Sequence, residues 1–314
     1  MIYIYCDLIK RTKINNLPNW CKIKIKSKFP EVKLVYSIKK ENKKILVYFG
    51  DLVTKEKIEL MPNLKWIHLT SSGTNRTQLD IIKQRKIIVT NSPDGFVNSL
   101  ASLGLAHIFS FSRGLHFVNN LRNEKKLNRN EVDRYYNFID DLREKDILIA
   151  GFGRVGKLIA EVLKTMGANI HAMVKDNKKI NSNNINFYCS NKISRSIHKM
   201  DYVVNLLPLN NDTSKFFDIN LFKKMKKNSY FISLGRGQTV VEKDLIKALK
   251  NKLMLGAALD VFEKEPLSKK SELFKLKNVI LTPHIGNINH KYWKYQIDLF
   301  LKKLSIFLKK LNHD

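Results

Sequence analysis

Short apolar runs separated by stretches of helical spacing make up most of the chain. Up to about residue 91 the runs are MIYIYC, KLVYSI, KKILVYF, LKWIHLT and KIIVTN. Near-continuous apolar strands that alternate with helices predict a parallel sheet covered on both faces. A long helix is expected next, from about Asn98 to Asn120, where apolar residues keep helical spacing and Gly and Pro are few. From Asp146 a second alternation runs through ILIA, NIHAMV, NFYC, DYVVNLL, YFISLG, GAALDV and NVILT, and it ends near His284. The last stretch, YWKYQIDLFLKKLSIFLKKL, reads as an amphipathic helix. The first alternation lacks the helices to finish its own cover, so the tail is placed back against it. The expected organisation is one α/β domain of residues 1–97 plus 288–314, interrupted by a second of residues 98–287.

Composition narrows the class. With 314 residues, 44% of them apolar and 27% charged, the chain has room for two globular domains. No apolar run approaches the roughly 20 residues a bilayer requires. The N-terminus has no basic region before its apolar stretch, so it reads as a first strand rather than a secretory signal. Cys6, Cys21 and Cys189 are too few and too far apart for a disulfide framework or a metal box, which fits a reducing cytoplasm. The net charge of +29 comes from lysines scattered through every segment, in a chain also rich in Asn and Ile. No aromatic residues interleave with them as a base-stacking platform would need, so the charge reads as a solvated surface without a specific nucleic-acid partner.

The chemistry begins at ILIAGFGRVGKLIAEVL, residues 147–163. Gly151 permits a tight turn after a strand, Gly153 lets backbone approach a pyrophosphate, and Gly156 lets the helix pack on the strand. The helix start then offers N–H groups and a positive dipole end to phosphates. Strand before and helix after are the context a dinucleotide site requires, so residues 98–287 are read as a Rossmann domain. Three later stretches each carry one candidate group at a strand end or just beyond: Arg236 in FISLGRGQTVVEKDL, Glu265 in GAALDVFEKEPL and His284 in LTPHIG. Carboxyl ends of strands are where open α/β sheets hold ligands, so the three can converge. Beside a nicotinamide such a trio suits reduction of a 2-keto acid. The Arg clamps the carboxylate, the His donates a proton, and the Glu supports the charged imidazole.

These motifs, with SSGTN near residue 73, VTNSPDGFVNSLA and NLLPLNNDT, give the chain its resemblance to the D-isomer-specific 2-hydroxyacid dehydrogenases, which include glyoxylate/hydroxypyruvate reductases. The likeness runs along almost the whole length. It implies a flavodoxin-like parallel-sheet substrate domain carrying the inserted dinucleotide-binding domain. It further implies that Arg236 holds the substrate, Glu265 supports the histidine, and His284 donates the proton. Ser72 and Gly73 would bind the substrate carboxylate through backbone N–H groups. Arg154 and Val155 would meet the pyrophosphate, Pro208 and Thr213 would flank the adenosine, and Leu234, Gly235, Asp260 and Gly286 would line the cofactor site, with Asp260 at the nicotinamide carboxamide. A homodimer is also implied. Departures from the family pattern include Ser72-Gly73-Thr74-Asn75 in place of an acid-bearing turn, Pro93-Asp94-Gly95-Phe96, Ser102 and Glu144, the last where a Gly is usual. Two other functions stay open on this scaffold: an NAD(H)-sensing co-repressor-like interaction protein, and D-3-phosphoglycerate dehydrogenase. The chain's stop at Asp314 argues against the second, whose members often carry a further regulatory domain.

The end of the second nucleotide-binding strand bears on cofactor choice. An acid there accepts hydrogen bonds from the ribose hydroxyls of NAD and repels a 2′-phosphate. Here the position is Val174, followed by Lys175 and Asp176. The expected cofactor is NADP, with NAD possible. His171 and His107 lie on apolar patterns and read as structural, Tyr292 and Trp293 read as packing residues of the tail helix, and Tyr135 or Tyr136 could reach a partner subunit.

Overall fold

The computed structural model describes residues 1–8, 17–38, 42–71, 79–175 and 185–311. The chain forms two compact units, Met1–Phe96 with Ile288–Asp314, and Val97–Asn287. Among the described residues no helix is long and apolar enough to cross a membrane.

The first unit runs β1 (Ile2–Asp7), α1 (Asn19–Lys28), β2 (Val32–Val35), β3 (Ile45–Gly50), α2 (Lys55–Glu59), β4 (Trp66–Leu69), α3 (Leu79–Gln84) and β5 (Ile88–Asn91). Its five strands are parallel in the order β2-β1-β3-β4-β5. The β4 strand is buried throughout, as a central strand covered on both faces must be. One cover comes from the last helix of the chain, Tyr292–Leu311. Ile297, Phe300, Leu301, Leu304, Phe307 and Leu308 form its buried stripe, each worth about 1.5–3 kcal/mol on burial. Phe300 stacks on Phe49 with ring centroids 4.3 Å apart and on Trp66 at 5.5 Å. Tyr292 and Trp293 lie in the same core.

The second unit opens with α4 (Val97–Ser112), α5 (Leu115–Asn123) and α6 (Arg129–Asp133). The single long helix expected from Asn98 to Asn120 is therefore two. Gly114 breaks it in the left-handed region at φ 63°, where a Cβ would come within 2.7 Å of the Ile139 side chain. Apolar spacing runs on through the break because both helices turn a face inward, through Phe111 on one side and His116 and Leu121 on the other. Then follow β6 (Asp146–Ala150), α7 (Arg154–Thr165), β7 (Asn169–Val174), β8 (Asn186–Cys189), β9 (Tyr202–Asn205), α8 (Ile219–Phe222), β10 (Tyr230–Ser233), α9 (Glu242–Lys250), β11 (Gly256–Leu259) and β12 (Val279–Leu281). The seven strands are parallel in the order β12-β11-β10-β9-β6-β7-β8. The chain builds outward from β6 to β8, then returns to lay β9 on the other side of β6. That reversal opens a crevice at the carboxyl ends of β6 and β9.

Glu144, where a Gly is usual, sits just before β6 at φ 60°. A non-glycine residue there costs about 1–2 kcal/mol, against the roughly 0.5–1 kcal/mol of extra chain entropy that glycine loses on folding. Glu144→Gly is accordingly expected to raise stability by about 0.5–1 kcal/mol. The denaturation midpoint should move upward accordingly, and an unchanged or lower midpoint would show that the turn carries no strain.

Candidate active site

Strand register lines up the candidate groups. Ala150 pairs with Asn205, Asn205 with Ser233, Ser233 with Leu259, and Leu259 with Leu281. The residues that follow, Gly151, Leu206, Leu234, Asp260 and Thr282, therefore emerge at one level along one sheet edge. The loops bearing Arg236, Glu265 and His284 all start from that edge.

At the first of these ends, Gly151 turns at φ 98°, and a Cβ there would come 2.8 Å from the Leu206 carbonyl oxygen. A Cβ on Gly156 would come 2.7 Å from the Gly151 carbonyl oxygen, so helix and loop touch there. A Cβ on Gly153, the N-cap of α7, would meet nothing within 4 Å. Open space thus lies over the start of a twelve-residue helix whose first turn holds no acid. That is the arrangement a pyrophosphate needs, with backbone N–H groups and a positive helix end before a cavity no side chain fills. Arg154 and Val155 stand in this first turn.

Asn205 was not singled out from the sequence, yet it fastens the crevice. Fully buried, it donates from Nδ2 to Ser233 Oγ (3.1 Å) and Thr239 Oγ1 (2.8 Å) and accepts at Oδ1 from Leu207 N. Its carbonyl accepts from both Leu234 N and Gly235 N. These bonds fix the turn that delivers Arg236, whose Nη1 donates to the Gly235 carbonyl at 2.8 Å. The available signal was a polar residue closing the apolar run DYVVN.

Asp260, at the end of β11, is 1% exposed. Its carboxylate accepts from Thr282 Oγ1 (2.7 Å), Ile285 N (2.8 Å) and Gly286 N (2.9 Å), while its carbonyl accepts from His284 N (2.9 Å). The clamp holds His284 at φ 54°, a left-handed conformation that costs a non-glycine residue about 1–3 kcal/mol and persists only where the surroundings over-determine it. So held, the ring meets Glu265: Nδ1 lies 2.8 Å from Oε2, both side chains being more than a third exposed. Nε2 of His284 makes no hydrogen bond among the described residues. Burial pushes the Glu265 carboxyl up. The hydrogen bond and charge of His284, the Phe262 N–H and the charge of Arg236 outweigh it and hold the group below the usual carboxylate range. An ionised Glu265 facing an imidazole whose Nε2 has no partner among the described residues could support proton transfer at that nitrogen, and the Arg236 charge reaches Glu265.

On the other side of β6, Val174 closes β7 and Lys175 follows, exposed. Lys175 Nζ donates to Asp212 Oδ2 at 2.7 Å. Pro208 and Thr213 bound the loop that carries Asp212, and Thr213 Oγ1 donates to the Pro208 carbonyl. Ser72, Gly73 and Asp176 lie outside the described residues.

A family model for the D-isomer specific 2-hydroxyacid dehydrogenase NAD-binding domain matches residues 105–286, the stretch that carries this sheet edge. The chain belongs to the D-isomer specific 2-hydroxyacid dehydrogenases. This dehydrogenase is 32% identical over 266 residues to a glyoxylate reductase of Thermococcus litoralis, covering 82% of this chain and 78% of the relative. A glyoxylate reductase of Pyrococcus horikoshii is 30% identical over 272 residues, with 85% and 80% covered. In fold, the dehydrogenase superposes on an NADPH-dependent glyoxylate/hydroxypyruvate reductase of Sinorhizobium meliloti with a TM-score of 0.80 at 19% identity, over 98% of this chain and 95% of the other.

Elsewhere, His171 is bonded through Nε2 to Asp146 Oδ1 (2.8 Å) and through Nδ1 to the Tyr188 hydroxyl. His107 is buried on α4, and burial holds it below the usual histidine range against the pull of Asp260. Tyr135 stacks on Phe117 at 4.3 Å, and Tyr136 is exposed.

Proposed function

We propose that the dehydrogenase reduces a small 2-keto acid of the glyoxylate or hydroxypyruvate kind to the D-2-hydroxy acid, with NADPH as reductant and NADH as the lesser one. The observation that carries this is the His284–Glu265 pair at 2.8 Å, one strand along from Arg236 and level with the glycine loop. Relatives named for glyoxylate and glyoxylate/hydroxypyruvate reduction support the substrate class.

When bound, the dinucleotide would supply the hydride. Residues Gly151–Gly156 would seat its pyrophosphate on the α7 N-terminus. Val174, Lys175, Pro208 and Thr213 would flank the adenosine ribose, and Leu234, Gly235, Asp260 and Gly286 the nicotinamide end. Arg236 would grip the keto acid's carboxylate with two parallel N–H···O bonds and draw electron density from the carbonyl. His284 would deliver a proton from Nε2 to the carbonyl oxygen, and Glu265 would steady the imidazolium from behind. The enzyme is taken to work in the cytoplasm as a homodimer.

Consumption of reduced nicotinamide, followed by absorbance with glyoxylate and hydroxypyruvate, tests the reading directly. Arg236→Lys keeps the charge but loses the planar fork. It is expected to raise KM and lower kcat together, since the clamp acts in ground and transition states alike. Both constants unchanged would mean that the carboxylate is held elsewhere. No turnover of any 2-keto acid with either nicotinamide would end the proposal.

A further inference from the structure

The sequence strips the ribose end of β7 of its acid, and the tertiary structure supplies another. Asp212 is 37 residues beyond Lys175, on the loop after β9, yet its Oδ2 accepts from Lys175 Nζ at 2.7 Å. The loop presents the carboxylate in a fixed way. Asn210 Oδ1 accepts from both Asp212 N (2.9 Å) and Thr213 N (3.1 Å), and Thr213 Oγ1 donates back to the Pro208 carbonyl. None of these bonds uses the Asp212 side chain, whose one partner among the bonds described is Lys175. Both side chains are largely exposed, 85% for Lys175 and 64% for Asp212. The pair thus stands open to a ligand rather than locked into the core, and each member is available to exchange its partner.

We infer that Asp212 limits the preference for NADP by competing with the ribose 2′-phosphate for Lys175. The inference rests on the dehydrogenase reading, which puts the adenosine ribose beside Val174 and Lys175. A 2′-phosphate gains the Lys175 charge only after displacing Asp212, and it then shares the space with that carboxylate. A 2′-hydroxyl asks for no such exchange and can donate to the same carboxylate. Val174 neither repels a phosphate nor binds a hydroxyl, so discrimination passes to the Lys175–Asp212 pair. An exposed ion pair is weak, so Asp212 trims the NADP preference that Lys175 creates without reversing it, and both cofactors remain usable. The effect is electrostatic and shrinks as salt is added.

The test measures binding of 2′,5′-ADP and 5′-ADP to the full-length protein by titration calorimetry, with no turnover involved. Asp212→Asn is expected to tighten 2′,5′-ADP by about two- to five-fold and to leave 5′-ADP within about two-fold. Lys175→Ala is expected to weaken 2′,5′-ADP. In a Lys175→Ala background, Asp212→Asn should then gain less than it does alone, because the contested cation is gone. If Asp212→Asn leaves the ratio of the two affinities unchanged while 5′-ADP still binds, Asp212 is not the discriminator and the dehydrogenase reading stands. If wild-type protein binds neither ligand, the adenosine site itself is misassigned and both fall.

Discussion

Replacing His284 with alanine is expected to lower turnover by about 10²–10⁴, the range for losing a positioned general acid. Affinity for the dinucleotide should change little. The Asp260 clamp acts on Thr282 Oγ1 and on the backbone of residues 284–286, so the turn survives loss of the ring. Glu265→Gln tests the partner. Glutamine keeps a hydrogen bond to Nδ1 but removes the charge that favours imidazolium. In the reductive direction, where the ring must hold a proton to give, the variant's activity should fall away at a lower pH than wild type. Near wild-type turnover in the His284→Ala protein would remove the proton-donor assignment. An unshifted pH profile in Glu265→Gln would leave Glu265 a merely structural neighbour.

Acidification from pH 6.5 to 5 is expected to cost the fold about 3 kcal/mol through two buried histidines alone. Burial lowers His68 to about 3 and His116 to about 4. His68 lies in the core of the first unit, its ring nitrogens against Thr90 Oγ1 (2.7 Å) and Ser92 Oγ (3.0 Å). His116 packs between Phe111 and Phe117 in the second. The unfolded chain protonates both rings near 6.5 and the native one does not, so stability is whole above that pH. It is lost downward until the folded values are reached, near pH 4 for His116 and pH 3 for His68. Each contributes a slope of about 1.4 kcal/mol per pH unit. His107, also lowered by burial, adds in the same direction. Denaturant melts at pH 7.5, 6.5 and 5 read the slope, and His116→Phe should flatten it by about one proton. Stability that stays level from pH 7.5 to 5 would mean that these rings find compensation on protonation.

Local rules carried the reading of the chain a long way. The strand runs and the α7 start follow from burial and from glycine stereochemistry, both of which act within a few residues. Arg236, Glu265 and His284 could be picked out because each stands at or just beyond the end of an apolar run, and a parallel sheet puts those ends on one edge. The helix expected from Asn98 to Asn120 shows the limit of periodicity. A pattern of apolar spacing is indifferent to one left-handed residue, and only the packing of Gly114 against Ile139 shows why the helix must stop there.

What the sequence determined by itself is the fold class, the glycine loop and a candidate trio at the strand ends, because these depend on residue type and order along single strands and turns. The tertiary structure alone decided three things. One is the hub role of Asn205, whose partners lie 28 and 34 residues away. Another is the use of Asp260 as the clamp that holds His284 in its left-handed conformation. The last is the placing of an acid beside Lys175 at the end of β7, from Asp212 on a loop two strands later in the chain. Each joins residues distant in sequence through side-chain hydrogen bonds or charge. No periodicity along the chain records such contacts, since they exist only once the strands have been paired.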